Sequence, residues 1–277
     1  MSYKIAINGY GRIGRCVLRA FYESTNYADL RIVAINDLAD IGNLAHLTRY
    51  DSTHGRFLGE VEQGDGELMV SGDAIRVSQQ ADVANLAWND LEIDLVMECS
   101  GAFTDRETAQ IHLANGAKRV LFSQPADSDV DATLVYGINH ETLAHDATII
   151  SNASCTTNCI VPVLKAIDEV FGIDHGVITT IHSAMNDQPV IDSYHHQDLR
   201  KTRSAMQSII PVDTALAKGI ERILPNLNGK LQAQAIRVPT VNVSAMDLTL
   251  TLNSDATIDS VNAALVAASD SLPPNIL

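Results

Sequence analysis

Short apolar runs alternate with longer stretches of helical periodicity through the first half of the chain. We predict strands in the runs YKIAING, LRIVAIND, LMVSG, AIRVS, DLVMECSG, KRVLFS, TLVYGIN and ATIISN. Helices are predicted between several of these runs, at about residues 12–24, 40–49 and 106–115. Because strands that alternate with helices of this length form βαβ units, the pattern predicts an α/β fold with a parallel sheet.

The pattern changes beyond residue 150. A long helix is predicted over residues 155–170, and the apolar run GVITTIHSAM follows it. Further on, the runs QAQAIRVP and NVSAMDLTLTL alternate apolar and polar side chains, which is typical of an antiparallel sheet with one covered face. We therefore predict two domains, at residues 1–150 and 151–277.

The composition is that of a globular protein and narrows the possible partners. Hydrophobic residues make up 46% of the 277-residue chain, and 34 acidic residues against 19 basic ones give a net charge of −15. General nucleic-acid binders carry a basic balance, so this charge disfavours that class. No apolar run reaches the length of a transmembrane helix, so we expect no membrane partner. The opening MSYK leads directly into the first predicted strand, which leaves no room for a signal peptide and predicts a cytoplasmic protein.

The cysteines are too few for a disulfide framework in a chain of this length. They are Cys16, Cys99, Cys155 and Cys159. Cys155 and Cys159 lack a second pair at metal-ligand spacing, and the adjacent His195 and His196 lack further ligands nearby. We therefore predict no metal site.

Gly9, Gly11 and Gly14 of the segment INGYGRIGR have the spacing of a dinucleotide-binding turn between a strand and a helix. Such glycines allow a tight turn, close approach of the backbone to a pyrophosphate, and close packing of the helix on the strand. Asp37 ends the second predicted strand, 23 residues after Gly14, where a carboxylate can accept from both ribose hydroxyls and repel a 2′-phosphate. The pattern predicts NAD rather than NADP; the alternative is a structural glycine turn with Asp37 as a cap or surface residue.

Cys155 lies among hydroxyl and amide side chains in SNASCTTNC, at the predicted start of a helix. A helix N-terminus and a nearby histidine both lower the pKa of a thiol, so the amides of residues 156–158 and the imidazole of His182 could activate Cys155. His182 follows the apolar run VITTI, 27 residues after Cys155, and would act as the general base. The alternative is a buried structural cysteine, which describes Cys99 well, together with a half-buried histidine that has no catalytic role.

Several of these segments together resemble the glyceraldehyde-3-phosphate dehydrogenase family. The resemblance extends from residue 3 to at least residue 252 and rests on INGYGRIGR, YDSTHGRF, SNASCTTNC, TTIHS, SIIPVDTALAK and RVPTVNVSAMDLT. It implies a Rossmann domain with a doubly wound parallel sheet, an α+β catalytic domain with a mainly antiparallel sheet, and a homotetramer. It also implies NAD-linked oxidation of a phosphorylated aldehyde, in which the cysteine thiolate adds to the aldehyde carbon and hydride transfer leaves a thioester.

The resemblance also implies roles for individual residues, with Cys155 as the nucleophile and His182 as the base. The expected ligands of the substrate or of phosphate are Ser154, Thr156, Thr214, Arg237 and one member of the cluster Arg200, Lys201 and Arg203, with Lys201 and Arg203 the leading candidates. The expected cofactor contacts are Gly9, Gly11, Arg12, Ile13, Gly14, Asp37 and Ser123.

Two departures from the phosphorylating glyceraldehyde enzyme point to a branch of the family. Met185 stands where that enzyme has a phosphate-binding threonine, and Ala215 stands where it has a glycine. The patterns HSAMxDQxVIDxYH and FSxPxxxDxDAT instead resemble erythrose-4-phosphate dehydrogenases, which implies oxidation of D-erythrose 4-phosphate to 4-phosphoerythronate on the way to pyridoxal 5′-phosphate, with water cleaving the thioester. The alternatives are the phosphorylating glyceraldehyde enzyme and a non-catalytic NAD-binding protein.

The chain ends at SDSLPPNIL, whereas the relatives continue for several tens of residues. The continuation includes a DNEWG-like stretch whose asparagine orients the nicotinamide. We therefore expect residues 151–277 to be a C-terminally incomplete catalytic domain, and we expect the homotetramer to form where the remaining segment is present.

Overall fold

A computed structural model describes residues 2–24, 26–195 and 198–277. The chain divides into two compact units. The first unit comprises residues 1–134 and 143–153, and the second comprises residues 135–142 and 154–277. Within the described ranges, no helix is long and apolar enough to cross a membrane.

The first unit is built on a mainly parallel sheet. Its helices are α1 (Arg12–Glu23), α2 (Ile41–Arg49) and α3 (Arg106–Ala114). Its strands are β1 (Tyr3–Asn8), β2 (Leu30–Asn36), β3 (Tyr50–Asp51), β4 (Gly55–Arg56), β5 (Val61–Gln63), β6 (Glu67–Val70), β7 (Asp73–Ser78), β8 (Leu95–Glu98), β9 (Val120–Phe122), β10 (Ala132–Thr133) and β11 (Ile149–Ser151). Among the described residues, nine strands form one sheet in the order β10-β11-β9-β8-β1-β2-β7-β6-β5, and β3 pairs with β4 separately.

Strand direction in this sheet agrees with the sequence pattern. Only the β5–β6 and β6–β7 pairs among its described strand pairs are antiparallel; the others are parallel. Ile5 and Ile7 of β1 belong to one apolar cluster with Leu18 of α1, whereas Ala6 belongs to a second cluster with Phe122. Because β1 is buried on both faces, it reads as a continuous apolar run. The predicted doubly wound α/β fold is confirmed.

The second unit contains a smaller mixed sheet. Its helices are α4 (Cys155–Phe171), α5 (Leu216–Ile223) and α6 (Ile258–Ser271), and its strands are β12 (Ile173–His182), β13 (Ile210–Val212), β14 (Leu231–Arg237) and β15 (Ala245–Leu252). In the described part of the chain these strands are ordered β13-β14-β12-β15. β12–β15 and β13–β14 are antiparallel, whereas β12–β14 is parallel. The mainly antiparallel sheet is confirmed, with the run QAQAIRVP as a partial exception because β14 lies parallel to β12.

The strand predicted over TLVYGIN is wrong beyond Thr133. The segment turns instead, since the Val135 N–H donates to Asn139 Oδ1 at 2.8 Å and the Ile138 N–H donates to the Val135 carbonyl at 3.0 Å. Gly137 adopts a φ of +84°, which interrupts an extended backbone. Residues 135–142 accordingly belong to the second unit and do not extend the sheet of the first.

Candidate active site

The glycine turn after β1 combines two structural glycines with one that leaves open space. Gly9 has a φ of +87°, and a Cβ at this position would lie 2.3 Å from Ser100 Cα. A Cβ at Gly14 would lie 2.4 Å from the Gly9 carbonyl oxygen. A Cβ at Gly11 would meet nothing within 4 Å. Gly11 therefore leaves the kind of space beside the backbone that a pyrophosphate requires.

The start of α1 is arranged to receive an anion. Gly11 occupies the N-cap position, and within the described residues no side chain caps this end of the helix. The N–H groups of the first turn and the positive end of the helix dipole therefore face outward. Arg12 and Ile13, both predicted to contact the cofactor, are exposed in this first turn.

Asp37 ties the loop after β2 to the glycine turn. Its Oδ2 accepts from the Tyr10 N–H at 2.7 Å, and its Oδ1 accepts from the Ala39 N–H at 3.0 Å. A carboxylate has about four acceptor positions, so two remain for ribose hydroxyls. Ser123 follows β9, at the carboxyl edge of the sheet where dinucleotides bind, and its hydroxyl donates to Gln124 Oε1 at 2.7 Å.

The second unit brings Cys155 and His182 together as predicted from the sequence. Cys155 is the first residue of α4, and His182 is the last residue of β12. The distance from Cys155 Sγ to His182 Nε2 is 3.7 Å, and His182 Nδ1 lies 2.7 Å from the Ser183 carbonyl oxygen. Since a carbonyl only accepts, Nδ1 carries a proton, and Nε2 is the nitrogen that can take the thiol proton.

The surroundings of this pair favour its charged form. The hydrogen bond from His182 is the main cause of the lowered pKa of Cys155, and the Thr156 amide adds to it, while burial opposes the shift. The hydrogen bond to Cys155 likewise raises the pKa of His182. The expectation that the amides of residues 156–158 all face the thiolate is only partly right. The Thr157 N–H donates to Ser154 Oγ at 2.9 Å, and the Asn158 N–H donates to the Ser154 carbonyl at 2.9 Å.

Ser154 is the N-cap of α4, a structural function that the sequence interpretation did not anticipate. Its hydroxyl accepts from the Thr157 N–H and lies 2.7 Å from Thr157 Oγ1 and 3.0 Å from Thr156 Oγ1. The three hydroxyls therefore form one group beside Cys155. Within this group, the Ser154 hydroxyl is already engaged in holding the first turn of the helix.

A cluster of opposite charges lies at the end of β14. The register of β12 and β14 pairs Arg237 with His182. Arg237 Nη1 donates to Asp187 Oδ1 at 2.5 Å, and Lys201 Nζ donates to Asp187 Oδ2 at 2.9 Å. Burial raises the pKa of Asp187, but the hydrogen bonds from Arg237 and Lys201 outweigh this effect and leave the pKa below its ordinary value. One carboxylate thus holds two of the predicted anion ligands.

The other predicted ligands have different partners. Arg203 Nη1 donates to Asp192 Oδ2 at 2.6 Å, and its side chain is 66% exposed. Arg200 pairs with Asp198 and with Asp213, the residue before Thr214. Thr214 Oγ1 accepts from the Leu216 N–H at 3.2 Å, at the start of α5. Of the three clustered basic residues, Lys201 is the one that shares a carboxylate with Arg237.

The structure describes one of the two adjacent histidines, His195. His196 lies outside the described residues. His195 Nδ1 accepts from the Asp198 N–H at 3.0 Å. Over residues 2–24, 26–195 and 198–277, no group of three or more His, Cys, Asp or Glu side chains is placed to hold a metal ion.

Asp187 was not among the residues singled out from the sequence. It lies in HSAMNDQ and is part of the pattern HSAMxDQxVIDxYH, but no role was assigned to it, since an isolated acid in a loop carries no periodic signal. The buried polar side chains Asn8 and Glu98 at the carboxyl ends of β1 and β8 were also missed. A polar residue that ends an apolar strand is the signal that could have identified them.

Two protein-family models match the chain. The model described as "Glyceraldehyde 3-phosphate dehydrogenase, NAD binding domain" matches residues 3–106. The model described as "Glyceraldehyde 3-phosphate dehydrogenase, C-terminal domain" matches residues 154–277. Together the two models cover most of the chain. The first confirms the predicted cofactor, because the glycine turn and Asp37 lie within an NAD-binding domain.

Proposed function

The chain belongs to the glyceraldehyde 3-phosphate dehydrogenase family, and we propose that it is an NAD-dependent dehydrogenase that oxidises D-erythrose 4-phosphate to 4-phosphoerythronate. The observation that carries the proposal of catalysis is the Cys155–His182 pair, with Sγ and Nε2 3.7 Å apart. The observation that favours the four-carbon substrate is Met185, which replaces the threonine expected in the phosphorylating glyceraldehyde enzyme.

In the proposed reaction, His182 Nε2 takes the thiol proton and the Cys155 thiolate forms a bond to the aldehyde carbon. The carbonyl oxygen gains the proton back from the imidazolium, which gives a hemithioacetal on the cysteine. The glycine turn and Asp37 would hold NAD, which would supply the hydride acceptor. As the C–H hydride leaves, His182 accepts the hydroxyl proton and the C=O bond of a thioester forms.

Water then completes the proposed cycle. His182 releases its proton to solvent, and its neutral Nε2 can accept a proton from the attacking water. The C–S bond breaks, the acid product leaves, and the lowered pKa of Cys155 favours its departure as a thiolate. This hydrolysis distinguishes the proposal from the phosphorylating reaction, in which inorganic phosphate is the acceptor.

The charge cluster supports the proposed choice of substrate. Met185 is partly exposed and its thioether donates no hydrogen bond, so it cannot hold a phosphate as a threonine would. Arg237 and Lys201 both carry N–H donors and are joined by Asp187. Because the four-carbon aldehyde places its phosphate one carbon further from the reacting carbon, we assign these two side chains to the substrate phosphate. This reaction would supply 4-phosphoerythronate for the synthesis of pyridoxal 5′-phosphate.

The test is formation of NADH from D-erythrose 4-phosphate and from glyceraldehyde 3-phosphate, each with and without inorganic phosphate. The proposal predicts phosphate-independent turnover that favours the four-carbon aldehyde. Phosphate-dependent turnover that favours the three-carbon aldehyde would assign the phosphorylating reaction instead. If a folded sample binds NAD but turns over neither aldehyde, the result would favour the alternative of a non-catalytic NAD-binding protein.

We also propose that the chain assembles as a homotetramer, as the resemblance to the family implies. Several large apolar side chains of the second unit support an assembly, since they are exposed to water in the single chain. They include Val190, Ile191, Leu199 and Val243, each more than 70% exposed. Sedimentation equilibrium tests this proposal, and a monomer at all concentrations would contradict it.

A further inference from the structure

Glu98 ends β8 as a fully buried carboxylate with protein partners on both oxygens. Oε1 accepts from the Ser100 N–H at 2.8 Å and from the Ser100 hydroxyl at 2.5 Å. Oε2 accepts from Asn8 Nδ2 at 2.5 Å and lies 3.3 Å from His112 Nε2. A buried carboxylate is costly unless hydrogen bonds compensate for lost hydration, and here they do.

The orientation of His112 is fixed by Trp88. The indole N–H of Trp88, the only tryptophan of the chain, lies 3.0 Å from His112 Nδ1. An indole N–H only donates, so Nδ1 must accept and the ring proton must lie on Nε2. His112, fully buried on α3, therefore donates from Nε2 to Glu98 Oε2. The direction of each hydrogen bond around Glu98 is set by this arrangement.

The same hydrogen-bond network continues along the carboxyl ends of the strands. Asn8 Oδ1 accepts from Asn36 Nδ2 at 2.8 Å, and Asn36 Oδ1 accepts from Ser78 Oγ at 2.9 Å. These side chains end β1, β2 and β7. Asn8 directly precedes Gly9, and Asn36 directly precedes Asp37. The network thus underlies both NAD-binding segments of the first unit.

Glu98 also reaches the glycine turn through Ser100. The backbone of Gly9 packs so closely on Ser100 that a Cβ would lie 2.3 Å from Ser100 N. Since Glu98 holds both the N–H and the hydroxyl of Ser100, a change in its hydrogen bonding would shift the surface against which Gly9 rests. Burial and close packing leave little room to absorb such a shift.

We propose that Glu98 is a positioning residue for NAD, oriented by His112 and Trp88. It does not touch the dinucleotide; it fixes Asn8 and Ser100 on either side of the glycine turn. The inference rests on NAD binding alone and is independent of the proposed aldehyde substrate.

The first test is E98Q, measured by calorimetric titration with NAD. The substitution keeps the side-chain shape, but its amide NH2 must face either Asn8 Nδ2 and the His112 Nε2–H or the two Ser100 donors, and both arrangements are donor–donor conflicts. We expect the Kd for NAD to rise about tenfold, the scale of one unmade buried hydrogen bond. Because the measurement uses NAD without aldehyde, its failure would leave the proposed oxidation of erythrose 4-phosphate untouched.

Two further measurements keep the test decisive. I93V removes a methyl group from the same apolar cluster as Trp88 and is expected to lower the thermal midpoint without raising the Kd for NAD. If E98Q does not fold, H112Q and H112L replace it. A glutamine can accept from Trp88 and donate to Glu98, so H112Q should retain NAD affinity while H112L loses it. Equal NAD affinity of H112Q and H112L, or of E98Q and the unsubstituted protein, would contradict the proposal.

Discussion

Cys155 and Cys99 carry the same thiol in opposite surroundings. Burial raises the pKa of Cys99 to about 11, so this thiol stays protonated and behaves as a small apolar side chain. The hydrogen bond from His182 lowers the pKa of Cys155, whose side chain remains exposed. A low pKa and access to solvent are the two conditions for a reactive cysteine. The difference between these two residues therefore comes from their neighbours.

The first prediction concerns the replacement H182N. Loss of the imidazole should return the pKa of Cys155 toward its ordinary value, so the thiolate fraction at neutral pH should fall. We expect the rate of iodoacetamide labelling at pH 7 to fall about tenfold, and the inflection of the pH–rate profile to move upward.

C159S is the matched control for that measurement, because Cys159 is also exposed and lies one turn further along α4. It should label at the rate of the unsubstituted protein, and C155S should not show the fast phase. A fast phase that survives C155S would contradict the assignment.

The second prediction concerns Asp187 and compares D187N with D192N. An asparagine keeps one acceptor oxygen but no charge, so Arg237 and Lys201 lose the negative charge between them and repel one another. We expect D187N to raise the KM for erythrose 4-phosphate about tenfold and to leave turnover of unphosphorylated erythrose unchanged.

D192N instead removes the charged partner of Arg203 and should change the KM for erythrose 4-phosphate by less than about twofold. A lower KM in D187N would mean that the carboxylate competes with the phosphate. Equal effects of the two substitutions would assign no special function to Asp187.

At the scale of elements, apolar patterns predicted the strands in which successive side chains are buried. Ile5, Ala6 and Ile7 face two apolar clusters, and this produced the continuous run that identified β1. The run TLVYGIN failed because the backbone turns after Thr133, where Val135 is buried and Tyr136 is exposed, and an apolar run alone does not distinguish a turn from a strand.

The sequence pattern could not predict the strand register. The parallel pairing of β12 and β14 places Arg237 opposite His182, although 55 residues of chain separate the two positions. Periodicity reports which face of a strand is buried, and it does not report which strand lies beside it. The sequence likewise did not show which basic side chain lies near Arg237, so Lys201 and Arg203 were equal candidates for an anion ligand. The structure connects Lys201 to Arg237 through Asp187.

The third prediction concerns Asp131, which joins the first turn of α3 to β11. Asp131 accepts from Arg106 Nη2 at 2.5 Å and from the backbone N–H groups of Thr148 and Ile149. Burial acts to raise its pKa, but these hydrogen bonds leave the pKa well below the ordinary value of 3.8. A lowered pKa in the folded state contributes stability above the unfolded-state value and loses it as the pH falls.

We therefore expect D131N to lower the free energy of unfolding at pH 7 by roughly 1–3 kcal/mol. The difference from the unsubstituted protein should shrink as the pH falls below about 4. Urea denaturation at pH 7, 5 and 3 tests this. D129N is the control, since Asp129 Oδ2 lies 3.9 Å from Arg106 Nε and its side chain is 60% exposed. A D131N deficit as large at pH 3 as at pH 7 would show that packing, not charge, is responsible.

At the scale of the whole molecule, the functional groups divide between the two units. The glycine turn, Asp37 and the Glu98 network belong to the first unit, whereas the Cys155–His182 pair and the Asp187 cluster belong to the second. Local motifs predicted the glycine turn and the position of Cys155 at the start of α4 because a few adjacent residues define each. The two groups around Glu98 and Asp187 assemble from distant segments, so no single stretch of sequence displays them.

In the proposed reaction Cys155 forms a thioester while an aldehyde is oxidised with NAD. The direct measurement is rapid acid quenching during turnover of erythrose 4-phosphate, followed by mass spectrometry of the peptide that contains Cys155. We expect a 4-phosphoerythronyl adduct on this peptide that requires NAD, disappears on treatment with hydroxylamine, and is absent in C155S. Formation of NADH without the adduct, or undiminished turnover in C155S, would contradict it.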